Sequence, residues 1–569
     1  MKKLLIALVV VCLVTSSLVP LAMADDPSPT EEVAPAVEPT VEATAEPSSE
    51  VTEEATIVAT EVVTPTEEAT VEPTVEATVE PTETVTPTET VAPTVEPTAT
   101  PEEGGIKAQA YSGSWTSTIA VQNMGSSAAQ VAIAWYKNGA ASTCYDTTDT
   151  TDLAPGASRY YAAPSGGTCG TSWMGSAVVS GNEPLAAVAE NVGSVGQLLS
   201  EYSGGSAPST EDIIIPQTNN TAWDPLIGVS NAGSDTAHVV ITLLNRDGTT
   251  FTTTNRTIPA QSAIQVRVKT DITSAAWQGS VKISQTGTPQ PLYAVNKAER
   301  SISGRPYPVS IAYEGWKVSD AKTAFLVPTV LKSMASATIP DGQNSTIGVV
   351  NPSASSAISV TIKFLDRNGN EVVAARQVLN LAANATQYVT TNGVTALPDG
   401  FNGSASVEGT GPVITLAQPW VAATTATGYT AWAVFTPVDP AAGASAVYVP
   451  SVHKQSSGGA RTGNGWCTSI IAVNLDQTVS STVRIDIYNA TTGLSVFNQQ
   501  VEIAPSGKTN WYTLQSGFDA ALGTDFKGGA KITVLSGGLI TAIGQQSGKA
   551  YGIASSSSDA FGFFNASNP

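Results

Sequence analysis

The chain has 569 residues and a formal charge of −22, but that charge is not spread evenly. Residues 25–103 hold 2 Asp and 19 Glu with no Lys or Arg, whereas the body from Gly104 onward has 27 acidic and 24 basic residues. A nearly neutral body without a basic run, behind a tail that phosphate repels, excludes a nucleic-acid-binding class.

At the N-terminus, Lys2 and Lys3 precede the apolar run LLIALVVVCLV, and Ala22-Met23-Ala24 precede Asp25. This is the layout of a secretory signal over residues 1–24, cleaved after Ala24. The alternative, an uncleaved anchor, needs a longer apolar stretch. No later segment is apolar for long enough to cross a membrane as a helix. The mature chain is therefore expected to be secreted or held at the cell surface without a transmembrane anchor.

Residues 25–104 follow, dominated by Pro, Thr, Glu and Val. Such a segment cannot bury enough apolar surface to offset chain entropy, so a disordered acidic linker is expected. Recurrent Pro favours extended geometry; at about 3.1 Å per residue the stalk spans at most on the order of 250 Å. Thr beside Pro also suits O-glycosylation. The segment reads as a tether, either a spacer through an envelope layer or a solvating linker.

The rest of the chain repeats itself. TIAVQN (118–123), LIGVSN (226–231), TIGVVN (346–351) and IIAVNL (470–475) each open a unit with an alternating strand near an Asn. A second alternating strand follows, ending in a turn signal such as Asn138-Gly139, Asp247-Gly248 or Asn368-Gly369. Then come a turn such as LAPGAS (153–158), an aromatic-x-Gly strand (WMGSAVV, WQGSVKI, FNGSASV, FKGGAKI) and a final strand such as PLAAVAENV (184–192). Five signals recur in one order four times. The units are expected at 105–209, 210–318, 319–442 and 443–569.

Each unit reads as all-β. Val131, Ile133 and Trp135 share one face, as do Val360, Ile362 and Phe364, and Val483, Ile485 and Ile487. Period two with one wet face predicts antiparallel sheets on a shared core. The prediction is four tandem antiparallel β-sandwich domains, arranged as beads on a string because each is long enough to bury its own core.

With these signals in place, the order T-I-x-V-x-N, V-x-I, L-x-P-G-x-S, G-S-A-V-V, P-L-A-A-V resembles the immunoglobulin-like or fibronectin-like repeats of secreted bacterial surface proteins. The likeness spans residues from about 105 to the end and departs from antibody-type domains, since no unit has their Cys…Trp…Cys framework. It implies a stalk, adhesin or matrix component and no particular chemistry.

Motifs for chemistry are sparse. His238 and His453 lack a partner at ligand spacing and read as surface residues, and no G-x-S-x-G, H-E-x-x-H, C-x-x-C or P-loop is present. An enzyme is not expected. Cys144 and Cys169 flank an Asp-rich loop in the first unit and are expected to form a disulfide, worth about 3 kcal/mol by chain entropy. Cys467 is left over, to be buried, free or paired with another chain. Asp146, Asp149 and Asp152 are a weak calcium candidate set against a plain solvated loop; no other cofactor is implied. The hairpin DRNGN (366–370) reads as a turn.

Trp115, Trp223 and Trp466 each stand eight residues before the Asn that ends the first shared strand, where the third unit has Gln343. Two readings stay open for them. They are exposed platforms on which sugar rings stack, or they wedge one domain against its neighbour. Trp173, Trp277, Phe401 and Phe526, of the aromatic-x-Gly set, read as core. The function expected is a secreted, non-catalytic structural or adhesive protein whose partner is a cell-envelope or matrix component. The alternatives are a polysaccharide-binding array using the three Trp and an enzyme whose site goes unrecognised.

Overall fold

Which strands form follows from the alternation above, and each repeat uses them in the same order. The computed structural model describes residues 6–10 and 115–568, apart from 141, 172, 194–198, 205–207, 302–307, 336–341, 422–430, 457–465, 516, 524 and 548–560. The expected stalk lies outside the described residues.

Strand β1 (Ile6–Val10) falls inside the apolar N-terminal run. Repeat 1 continues with β2 (Trp115–Asn123), β3 (Val131–Lys137), β4 (Thr143–Thr148), β5 (Ser158–Ala162), β6 (Gly175–Gly181), β7 (Leu185–Gly193) and β8 (Leu199–Ser203). Repeat 2 comprises β9 (Ile213–Asn219), β10 (Asp224–Asn231), β11 (Ala237–Asn245), β12 (Thr250–Ile258), β13 (Ser262–Arg267), β14 (Gln278–Thr286), β15 (Leu292–Arg300), β16 (Val309–Glu314) and β17 (Trp316–Lys317). Repeat 3 comprises β18 (Lys322–Lys332), β19 (Asn344–Val350), β20 (Ile358–Leu365), β21 (Gln377–Leu381), β22 (Thr386–Thr390), the long β23 (Phe401–Val421) and β24 (Ala431–Trp432). Repeat 4 comprises β25 (Ala446–Ser456), β26 (Trp466–Asn474), β27 (Ser481–Asn489), β28 (Ser495–Ile503), β29 (Lys508–Tyr512), β30 (Phe526–Ser536), β31 (Ile540–Ser547) and β32 (Phe561–Asn565).

Repeat 2 shows the plan. One sheet has the order β12-β11-β14-β9-β17 and the other β13-β10-β15-β16. Repeat 1 has the same two sheets, β4-β3-β6-β1 and β5-β2-β7-β8; in repeats 3 and 4 the sheets are joined through β23 and through the β25–β26 pair. The named pairings are antiparallel, so the fold is all-β.

Two local devices explain the repeated signals. The Asn that ends the first shared strand is buried in every repeat. Asn231 Nδ2 donates to the carbonyls of Asp235 at 2.7 Å and Ile258 at 3.1 Å, while its Oδ1 accepts from Gly233 N at 2.9 Å. Asn123, Asn351 and Asn474 make the equivalent bonds, each tying two loops to a strand end. The second device is the aromatic-x-Gly pair. Trp173, Trp277, Phe401 and Phe526 are buried. A Cβ on Gly175, Gly279, Gly403 or Gly528 would come within 2.0 Å of a carbonyl oxygen of the neighbouring strand. Gly279→Ala is therefore expected to force the Leu244 backbone aside and lower stability by about 2 kcal/mol or more. A denaturant midpoint within error of the parent protein would contradict this.

The bead arrangement is corrected by the cores. The core of repeat 1 takes in Tyr293, Val295 and Ala312 of repeat 2, and that of repeat 2 takes in Leu416, Trp432 and Val434 of repeat 3. The core of repeat 3 takes in Ile471, Ile543 and Phe563 of repeat 4, and that of repeat 4 takes in Val188 of repeat 1. Each sandwich is thus completed by the next, and the fourth by the first. The last strands meet as well: β8 packs on β16 and β32, and β24 packs on the same two. Residues 109–569 fall, together with residues 1–19, in one compact unit. The separate-bead expectation failed because one sheet of each repeat is buried on both faces. Strand β15 is buried at eight successive positions, and β19 along its whole length.

Candidate functional site

The three Trp singled out from the sequence lie at the junctions between repeats. Trp115, Trp223 and Trp466 are only 1%, 7% and 3% exposed. Trp115, at the start of β2, lies beside Leu226 of repeat 2, and Lys297 Nζ sits 3.1 Å from its ring centroid. Trp223 meets Trp432 of repeat 3 edge-on at 6.0 Å; Trp432 in turn stacks on Trp420 at 6.2 Å, with the Arg300 guanidinium 5.0 Å from its centroid. Trp466 packs on Leu199 and Val192 of repeat 1. No open ring face is left at these positions for a sugar to stack on.

Polar groups at equivalent strand positions differ from junction to junction. Between repeats 2 and 3, Gln217 Nε2 donates to Gln418 Oε1 at 3.2 Å. Both residues line a small cleft with Trp223, Asn296 and Tyr313, whose enclosed space admits no more than a water-sized molecule. Between repeats 3 and 4, Lys508 Nζ reaches Gly403 O at 2.6 Å and Thr329 Oγ1 at 3.2 Å. Burial, reinforced by Arg367, holds this ammonium well below its ordinary pKa.

The junction that closes repeat 4 onto repeat 1 carries the densest cluster. Glu190 on β7 accepts from Ser451 Oγ and lies 3.3 Å from both His453 Nε2 and Gln546 Nε2. Gln546 Nε2 also donates to Ser451 Oγ at 2.6 Å, and the Tyr160 ring meets His453 edge-on at 5.3 Å. Burial opposes the Glu190 charge, but His453, Ser451 and Gln546 outweigh it, and the carboxyl sits below its ordinary pKa. Across the strand pair stands Glu201, 2% exposed, which burial first and Glu190 second push well above the usual carboxylate range. Ser451 Oγ donates its hydrogen bond to the Glu190 carboxylate, and Glu190, Ser451 and His453 are all buried. His453, read from sequence as a surface residue, is buried instead.

Lys297 makes a pH signature. It is fully buried, and desolvation lowers its pKa to about 7, with Glu299 pulling the other way. The unfolded chain holds that proton up to the ordinary 10.5, so stability is expected to rise with pH from about 7 to 10.5 and to level off below about 7. Lys297→Met is expected to flatten this segment and to gain about 1 kcal/mol at pH 7. Urea titrations at several pH values check both; an unchanged slope would contradict the assignment.

The other candidates fall elsewhere. Cys144 and Cys169 are joined as a disulfide within repeat 1, with Cα atoms 4.8 Å apart. Cys467 is a buried free thiol, 3.1 Å from Ser547 O, raised by burial to about 11. Asp149 is taken up by Arg159 and Tyr161, while Asp146 accepts from Thr143 at 3.2 Å and Asp152 is exposed. Among the described residues no group of three or more His, Cys, Asp or Glu could hold a metal ion. Asp366 accepts from Asn368 N and Asn370 N, a hairpin turn as read. His238 is exposed.

An all-β chain whose sandwiches complete one another is the class that fold and site define. No protein-family model and no curated protein matches it. Among solved structures, the crystal structure of Thermotoga maritima 1070 matches at 8% identity, over 21% of this chain and 95% of that one, with a TM-score of 0.17. A likeness at that score carries no weight for function.

Proposed function

We propose that this protein is a secreted or surface-held, non-catalytic scaffold, a stalk displaying four immunoglobulin-like sandwiches to a cell-envelope or matrix partner. The observation that supports this reading best is the placement of the three repeat-equivalent Trp, all of which pack one sandwich against another. Residues that would have served a sugar-binding array instead stiffen the body. The junction cluster around Glu190 also packs rather than opening to substrate. The reading needs no cofactor and gives calcium no part.

The test incubates the chain beginning at Asp25 with whole envelopes and with a panel of insoluble polysaccharides. Retention on envelopes without release of soluble sugar is expected. Release of sugar, or retention on one purified polysaccharide but not on envelopes, would overturn the proposal.

A further inference from the structure

The first strand of each sandwich lies beside the aromatic-x-Gly strand, and its register repeats. Ile213 and Ile215 pair with Ile283 and Val281; Phe325 and Val327 pair with Val407 and Ala405; Val447 and Val449 pair with Ile532 and Ala530. All six of these first-strand side chains are buried. The equivalent positions on β6 are Val179 and Ala177, and there Leu8 and Val10 of β1 stand opposite. The first-strand place of repeat 1 is thus held by a segment from the far side of the Pro/Thr/Glu tract. The backbone of that segment also runs close to β7 in the facing sheet.

Ile6–Val10 belongs to the expected secretory signal, and cleavage after Ala24 would remove it. The strand β6 would then present a row of unpaired amide and carbonyl groups, which template pairing with another strand. The chain's own nearest replacement is chemically poor. Residues 105–111 hold the separation from Trp115 that Ile213–Asn219 hold from Trp223. At that separation Gly105 and Lys107 would take the places of Ile213 and Ile215.

We propose that repeat 1 of the processed chain is a strand acceptor. The edge of β6 takes an extended segment of a partner protein, antiparallel and in the register of Leu8-Val9-Val10, with large aliphatic residues two positions apart. Main-chain bonds give the affinity and the alternate side chains the specificity. The proposal rests on the export reading in one respect, that residues 1–24 leave.

The probe is a synthetic peptide of residues 211–221, whose Ile213-Ile214-Ile215 carries the required register. Its control carries Ile213→Asp and Ile215→Asp. Both are titrated into the chain beginning at Asp25 and into the full chain, reading peptide anisotropy and amide exchange of residues 175–181. The expected result is binding at least tenfold tighter than the control, with at least tenfold slower exchange in β6, in the shorter chain only. Should the shorter chain fail to fold, the full chain with a protease site after Ala24 is cut once folded, and the same readings are taken. Slow β6 exchange without peptide, in a monomer that binds no peptide, would overturn the proposal by showing residues 105–111 in place. A dimer that the peptide dissociates would overturn it in favour of a second copy. N-terminal sequencing of the exported protein separately decides whether residues 1–24 leave.

Discussion

Trp223→Ala is expected to lower stability by about 3–5 kcal/mol, the cost of emptying a buried indole site. The loss should register in two repeats, because the ring lies edge-on to Trp432, whose other neighbours are Trp420 and Arg300. Trp466→Ala should do the same at the closing junction, where Leu199 of repeat 1 rests on it. Hydrogen exchange resolves the claim: amides of β16 and β24 should speed up together in the first variant, and those of β8 and β32 in the second. A platform role would give the opposite result, with stability intact and ligand binding lost.

Asn351→Ala is the second large effect. The side chain donates to Ser356 O at 2.7 Å and Ala382 O at 2.9 Å and accepts from Ser353 N at 3.0 Å, all at a buried strand end. Each buried group left without a partner costs about 1–3 kcal/mol, so a loss of about 4 kcal/mol is expected. Asn351→Asp should recover little, since a carboxylate accepts where the amide donates. Equal losses for Asn123→Ala, Asn231→Ala and Asn474→Ala would mark the device as common to the four repeats. A loss below about 1 kcal/mol at any of them would contradict it.

Much of the fold was legible because the repeats restate it. The strands β3, β20 and β27 alternate buried and wetter positions, and Val131, Val360 and Val483 with their partners face inward as read. The Cys144–Cys169 bond and the aromatic core positions were legible for the same reason, a local pattern with a local cause.

Ring closure was not read, although a signal existed. PLAAVAENV and PLYAVNKAE are nearly continuous apolar runs rather than alternating ones, the mark of a strand covered on both faces. The junction chemistry hid the rest. Equivalent positions hold Glu190, Lys297, Gln418 and Gln545, so no single residue type is shared by the four to announce an interface. His453 was misplaced because the Ser/Gly-rich loop after it obscured that it still belongs to β25. The seat of β1 beside β6 could not be read at all, since a uniformly apolar run carries no register.

The most direct test of the closed arrangement is small-angle X-ray scattering from the chain beginning at residue 105. Four sandwiches completing one another behave as one compact body, with a radius of gyration of about 23 Å for roughly 465 residues. The same four strung out, each about 35 Å across, would give about 40 Å. The smaller value, with a single compact distance distribution, is the result expected. The larger one, with separate maxima, would return the chain to independent beads and remove the junctions on which this account rests.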